Sequence, residues 1–504
     1  MSQRLIGIDM GTASSKGVLA TPDGEIVATA SRPHAMSLPR PGWAEVDPEK
    51  VWWDDLVALC RELVDPAAGD TIAGVCVSGV GPCLLLCDEQ VRPVRPAILY
   101  GIDMRAVAEI DELTQRYGAD RIIARGGTAL STQAIGPKML WVQRNEPDAW
   151  ARAARWYNSS SFAVARLTGQ YILDHHTASQ CDPLYDISAR AWCTDWADDV
   201  APGLEMPRLV WPSEVVGTVH DAAAQQTGLP AGTPVSAGTV DAWAEAFSVG
   251  VRAPGDLMLM YGSTMFFVQV LPELRSHPLL WTTSGVDPDT YTLAAGMATS
   301  GSLTGWLQEI FGGAPFGQLV AEAAATPPGA DGLVLLPYFA GERTPIFDPK
   351  ARGVVAGLSL RHERGHLFRA AYEGIACGIR QILDFIDAAA TPAQRIVAVG
   401  GGTQGGLWTQ IVSDVTGREQ LLTVETIGAS YGDALMAAIG VGLVPPATDW
   451  ARAATTVVSD PSRRELYDGL FETYTELYPA TRDLVHRLAD NQEATAASPD
   501  FTST

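Results

Sequence analysis

Ile8-Asp9-Met10-Gly11-Thr12-Ala13-Ser14-Ser15-Lys16-Gly17 sets a carboxylate at the end of an apolar run and follows it with small residues, hydroxyls and one cation. The run 5–10 is apolar and 18–20 resumes the apolar pattern, so the spacing predicts a strand, a turn and a second strand. Successive backbone N–H groups in such a turn can wrap an anion. Asp9 repels a phosphate, yet it can hold a hydrated Mg²⁺, an ion that takes few carboxylates and keeps several waters. Read alone, the stretch is equally a plain hairpin with Asp9 as turn former.

Asp23-Gly24 is a hairpin signal leading into 26–30, and Asp47-Pro48 reads as an N-cap with proline at the first position of a helix over 51–64. Short apolar runs at 72–77 and 83–87 flank a glycine-rich break at 79–82, and helices are expected over 103–117 and 159–167. The plan changes at 247–254. Residues 256–261, the turn Tyr261-Gly262-Ser263-Thr264 and 265–270 then repeat the opening design. Beyond them come a helix at 302–311, an amphipathic stretch at 363–388, a strand at 395–399, a glycine turn at 400–402, a helix at 407–416, and one helix or two over 463–489. Strands and helices alternate on short connections, which predicts α/β structure. A chain of 504 residues is long enough for more than one core, so two lobes are expected, 1–247 and 248–490, with a disordered tail at 491–504.

Composition narrows the function. Asp and Glu number 58 against 35 Lys and Arg, a net charge of −23, and no basic cluster offers a nucleic-acid footprint. A phosphate ligand must therefore be met by backbone N–H groups, local cations and a metal ion. The N-terminus shows no signal-peptide pattern, and the apolar stretch 434–444 is too short to span a bilayer. Seven scattered cysteines fit reduced thiols in a cytoplasm.

Three further stretches carry chemistry. In Gly238-Thr239-Val240-Asp241-Ala242, Asp241 falls at a predicted helix start, where it either matches the helix dipole or serves as a general base toward a hydroxyl. Gly400-Gly401-Gly402-Thr403-Gln404-Gly405-Gly406 sits between a strand and a helix, where backbone can approach a flat or anionic group. A dinucleotide fingerprint is the rival there, since Glu419 and Glu425 lie at compatible distances, but it leaves the two hairpin turns unexplained. Gly341-Glu342-Arg343-Thr344-Pro345 is a charged loop, and the neighbouring His175 and His176 read as structural.

Together, in this order, these motifs resemble the FGGY carbohydrate kinases, which include xylulose, ribulose, gluconate and glycerol kinases. The resemblance runs from about Leu5 to about Val444. It implies two actin-like, ribonuclease H-like lobes with a nucleotide cleft between them, ATP with Mg²⁺ as donor, and a small sugar or polyol as acceptor. It assigns Asp9 to the metal and Asp241 to catalysis and acceptor contact. Thr12, Ser14, Lys16, Gly262, Ser263, Gly301, Gly401 and Gly402 fall to the nucleotide, and Gly81, Asp103 and Arg105 to the acceptor. Xylulose kinases usually carry Gln-Met-His-Gly where this chain has Val80-Gly81-Pro82-Cys83, and glycerol kinases place Arg-Glu at Gly81-Pro82. D-Xylulose is the first expected acceptor, with gluconate, ribulose, glycerol and tetritols as alternatives and a non-kinase actin-like ATPase as the rival activity. Neither nucleic acid nor membrane is expected as a partner, and a homodimer is left open.

Overall fold

The computed structural model describes residues 2–67, 69–425 and 427–496. Two compact units emerge, and they are not consecutive halves of the chain. The first holds Met1–Pro254, Val270–Thr292 and Ile427–Arg452, and the second holds Gly255–Gln269, Leu293–Thr426 and the chain from Ala453 on. The expected division after residue 247 puts 248–254, Val270–Thr292 and Ile427–Arg452 with the second lobe, whereas by packing they go with the first unit. They return to the first unit because it is there that their apolar residues are buried.

The first unit is built on a sheet in the order Val215–Thr218, Pro234–Ser236, Thr71–Gly79, Gln3–Met10, Ser14–Ala20, Ile26–Pro33. Gln3–Met10 pairs parallel with Thr71–Gly79 and antiparallel with Ser14–Ala20. It is buried on both faces from Leu5 onward, which is why it reads as a continuous apolar run. Side chains alternate across the strand. Ile6, Ile8 and Met10 join the core that includes Leu56, Leu59 and Leu63 of the helix Asp54–Val64. Leu5 belongs to the opposite core, with Ala434, Leu435 and Phe247.

That opposite face is covered by the helix Ala429–Gly440, most of whose residues are buried. It can lie so close because residue 7 is glycine: a Cβ there would stand 1.9 Å from the Ser430 carbonyl oxygen and 2.5 Å from the Ala434 nitrogen. Gly432 plays the same part toward the helix Asp241–Ser248, where a Cβ would fall 2.1 Å from the Ala244 carbonyl oxygen. The apolar stretch at 434–444 thus begins inside a buried core helix, which ends at Gly440. No helix among the described residues is long and apolar enough to cross a membrane.

The second unit repeats the local plan. Asp256–Tyr261 pairs antiparallel with Met265–Leu271 and parallel with Arg395–Val399, and Gln420–Thr423 and Ala453–Val457 extend the ladder. The helix Arg364–Ala389 is buried along most of its length. One helix, Arg464–Ala496, replaces the expected one or two and runs on through residues 491–496, the start of the predicted disordered tail. The sequence Gln492-Glu493-Ala494-Thr495-Ala496 contains good helix formers and no breaker, so nothing stops the helix earlier. The rest of that tail, 497–504, lies outside the described residues. The expected helix over 103–117 begins only at Val107, because Asp103 and Arg105 are held in a turn.

Gly7→Ala should destabilise the first unit by ~2 kcal/mol or more, as overpacking against rigid backbone does. The check is the urea midpoint, and a wild-type midpoint would contradict the tight seating of Ala429–Gly440.

Candidate active site

The first predicted turn closes as a hairpin in which Asp9 stands opposite Lys16 and Met10 opposite Ser15, with Gly11 N–H donating to the Ser14 carbonyl at 3.2 Å. Directly opposed residues share a face of the ladder, so the exposed Lys16 stands over the buried Asp9. Thr12 Oγ1 lies 3.1 Å from the Tyr100 hydroxyl. Asp9 Oδ1 is buried without a hydrogen-bond partner among the described residues.

Asp241 reaches the same strand ends from the other side of Thr71–Gly79. Gly79 N–H donates to the Thr239 carbonyl at 3.2 Å and Gly79 bridges Val240 in parallel. The chain can run this close because Gly238 adopts φ +69 and has no Cβ, which would sit 1.8 Å from the Val77 carbonyl oxygen. Thr239 Oγ1 donates to the buried Asp174 Oδ1 at 2.8 Å. Val240 then caps the helix Asp241–Ser248, and Asp241 Oδ1 accepts from Ala242 N–H at 2.7 Å. Asp433, on the covering helix, accepts from Ser78 Oγ at 2.6 Å beneath the strand that carries Asp9.

Burial and like charge dominate the electrostatics. The Asp9 carboxyl is pushed well above the usual range by burial first and by the Asp241 charge second, with Lys16 opposing both. Burial lifts Asp241 to about 6. Glu245, one helical turn further on, is lifted to about 7 by burial and then by Asp241. Acidic side chains crowded this way favour a cation. Among the described residues no group of three or more His, Cys, Asp or Glu forms a metal site. The unpartnered Asp9 Oδ1 nevertheless fits a Mg²⁺ that takes one carboxylate and keeps its waters.

On the acceptor side, Gly81 lies beside Val240 and Asn158: a Cβ on it would stand 3.1 Å from Val240 Cγ2 and 3.3 Å from Asn158 Oδ1. The structure therefore brings Gly81 next to the segment that carries Asp241. Asp103 and Arg105 are placed differently. Arg105 Nη2 pairs with Asp103 Oδ2 at 2.7 Å with both side chains 0% exposed. Arg105 Nη1 pairs with Glu45 at 2.8 Å, and its guanidinium is 4.1 Å from the Trp43 ring centroid and 5.1 Å from that of Trp141. Asp103 Oδ2 also accepts from Ala44 N–H at 2.7 Å. In this structure the pair presents no surface to an acceptor and instead fixes the 43–45 segment against the helix Ile135–Asn145.

In the second unit, Gly301 N–H donates to the Gly262 carbonyl and Ser300 N–H to that of Ser263, each at 3.0 Å. A Cβ on Gly301 would lie 2.7 Å from the Gly262 oxygen, so the helix Gly301–Ile310 starts pressed against the second turn. Gly402 fits below Trp408 and Tyr261, where a Cβ would be 2.7 Å and 2.9 Å from their atoms. Gly262, Ser263, Gly301, Gly401 and Gly402 share one cavity of about 620 Å³, walled by Thr304, Phe316, Tyr372 and Trp408 and, among the described residues, lined by no charged side chain. Tyr372 and Trp408 stack with centroids 4.9 Å apart. Such a cavity suits an uncharged aromatic group of nucleoside size.

Residues 4–248 match the model of the FGGY family of carbohydrate kinases, N-terminal domain, and residues 257–441 match the C-terminal domain. The chain belongs to this family. A xylulose kinase from Lactococcus lactis subsp. lactis is 29% identical over 96% of this chain and 98% of its own length. A glycerol kinase from Nocardia farcinica is 28% identical over 92% of this chain and 96% of its own length. The crystal structure of xylulose kinase from Rhodospirillum rubrum covers 96% of this chain and 100% of its own, at 33% identity and a TM-score of 0.88. The fold of the family and its class, carbohydrate kinase, are those of this protein. Glu245 escaped the sequence reading, although its position four residues after Asp241 on a predicted helix was the signal that could have found it.

The raised Asp241 carboxyl fixes the sign of a stability effect. The folded state holds it protonated up to about pH 6, so its ionisation at higher pH costs stability relative to the unfolded chain. Asp241→Asn should therefore stabilise the ligand-free protein by ~1–3 kcal/mol near pH 8, with the gain vanishing near pH 4. Thermal melts at the two pH values check this, and a gain that does not depend on pH would contradict it.

Proposed function

We propose that this carbohydrate kinase transfers the γ-phosphoryl group of ATP to a primary hydroxyl of a small keto-sugar, with D-xylulose as the first candidate. The observation that carries the reading is Asp241, a half-buried carboxylate at the start of a helix, on the segment that packs against the side-chain-free Gly81 and close enough for its charge to act on Asp9. Asp241 accepts the proton of the attacking hydroxyl as the new O–P bond forms and the bond from the γ-phosphorus to its bridging oxygen breaks, releasing ADP. A burial-raised carboxyl near 6 is a better base than an exposed aspartate and is still ionised at neutral pH.

Thr12, Ser14 and Lys16 contact phosphate in this reading, and Lys16 offsets the charge that develops there. Asp9 holds the Mg²⁺, which when bound neutralises phosphate charge. The uncharged cavity of the second unit, which Gly262, Ser263 and Gly301 line, takes the nucleoside. The relatives support the acceptor class: they include both a xylulose kinase and a glycerol kinase. Gly81 and Pro82 offer no side-chain donor to a hydroxyl, so acceptor recognition there falls to backbone and to neighbouring residues.

The test is coupled ADP release over ketoses, alditols and aldonates. D-Xylulose should stimulate release most, and Asp241→Ala should lose at least ~10³-fold in kcat while still binding ATP. Greater stimulation by gluconate, ribulose, glycerol or a tetritol reassigns the acceptor. ADP release that no acceptor stimulates makes the protein an actin-like ATPase.

A further inference from the structure

His34 follows the strand Ile26–Pro33 and is tied to the first turn three ways. Its backbone N–H donates to the Ala13 carbonyl at 3.0 Å. Its ring Nε2 lies 3.0 Å from the Gly11 carbonyl oxygen, and its Nδ1 lies 2.8 Å from Asp55 Oδ2. The imidazole is 8% exposed and the Asp55 side chain 15%. A peptide carbonyl can only accept a hydrogen bond, and so can a carboxylate. Both ring nitrogens therefore carry hydrogen, which only the imidazolium form provides.

The surroundings hold this arrangement. Asp55 stands in the first turn of the helix Asp54–Val64, whose approach to the sheet is fixed at Gly17, where a Cβ would lie 2.7 Å from Leu63 Cδ1. Arg32, on the strand leading to His34, pairs with Glu62 of that helix at 2.6 Å and leaves Asp55 to the histidine. The hairpin itself contributes Asp9 and Lys16. In a trans peptide the carbonyl of one residue and the N–H of the next point in opposite directions. With the Gly11 and Ala13 carbonyls drawn to His34, the N–H groups of Thr12 and Ser14 point away from it.

We propose that His34 is a positioning residue for the phosphate turn, acting as a doubly protonated brace between Asp55 and the Gly11 carbonyl. The proposal rests on reading this turn as a phosphate site. A neutral ring has one N–H and must release either Gly11 or Asp55.

Two measurements test it. Imidazole nitrogen shifts of the labelled protein, with His34→Gln identifying the signal, should show both His34 nitrogens protonated at neutral pH, and a singly protonated ring overturns the proposal. MgADP titration calorimetry should show affinity about five- to ten-fold weaker in His34→Gln than in the wild type. The variant should keep kcat at saturating ATP within about two-fold of wild type. Wild-type MgADP affinity in His34→Gln overturns the brace. Lys16→Ala separates the layers: if it weakens MgADP while His34→Gln does not, the brace alone fails, and if neither weakens it, the turn is not a phosphate site.

Discussion

Buried negative charge organises the first unit. Desolvation raises the proton affinity of Asp9, Asp241 and Glu245, and the Asp241 charge raises that of Asp9 and Glu245 further. Dispersing such charge into solvent would relieve the strain, so the fold must hold it in place. It does so with a ladder that fixes Asp9 opposite Lys16, a parallel bridge that delivers Asp241, and a covering helix that supplies Asp433 under Ser78. A site with this much unbalanced charge is poised for positively charged or metal-bearing ligands. That fits phosphoryl transfer, where catalysis is mostly positioning and electrostatics.

Missing side chains make these approaches possible. Gly7, Gly238 and Gly432 admit backbone to within distances a methyl group would block, and Gly301 and Gly402 do the same in the second unit. The two units use one device: a hairpin with a parallel partner strand, whose turn is kept small so that a helix start or a glycine loop can press on it.

Much of this was legible in the sequence because it is local. The Asp47-Pro48 cap appears as written, with Asp47 accepting from Glu49 and Lys50 N–H, and the strand Arg395–Val399 and helix Leu407–Thr416 fall where apolar spacing and glycines put them. Asp241 stands at the start of its helix, and Gly262, Ser263, Gly301, Gly401 and Gly402 share a cavity. What the sequence hid is long-range. Nothing near Ala429–Gly440 says that it covers a strand more than four hundred residues earlier. Asp103 and Arg105 have the polarity of a binding pair, but only the packing of Trp43 and Trp141 around the guanidinium shows that their charge is spent internally. His34 gave no signal at all, since its partners Gly11 and Asp55 are identified by the ladder and the helix together.

The return of Ile427–Arg452 to the first unit has a consequence for biosynthesis. A ribosome that has finished Pro254 has not yet made the helix that shields the Leu5–Gly7 face of the central sheet. Domains usually fold as they emerge, but here the emerging amino-terminal part must wait with one apolar surface bare until nearly the whole polypeptide is complete. The nascent chain is therefore a natural client for chaperones during that interval, and a premature stop before residue 429 removes more than the second unit.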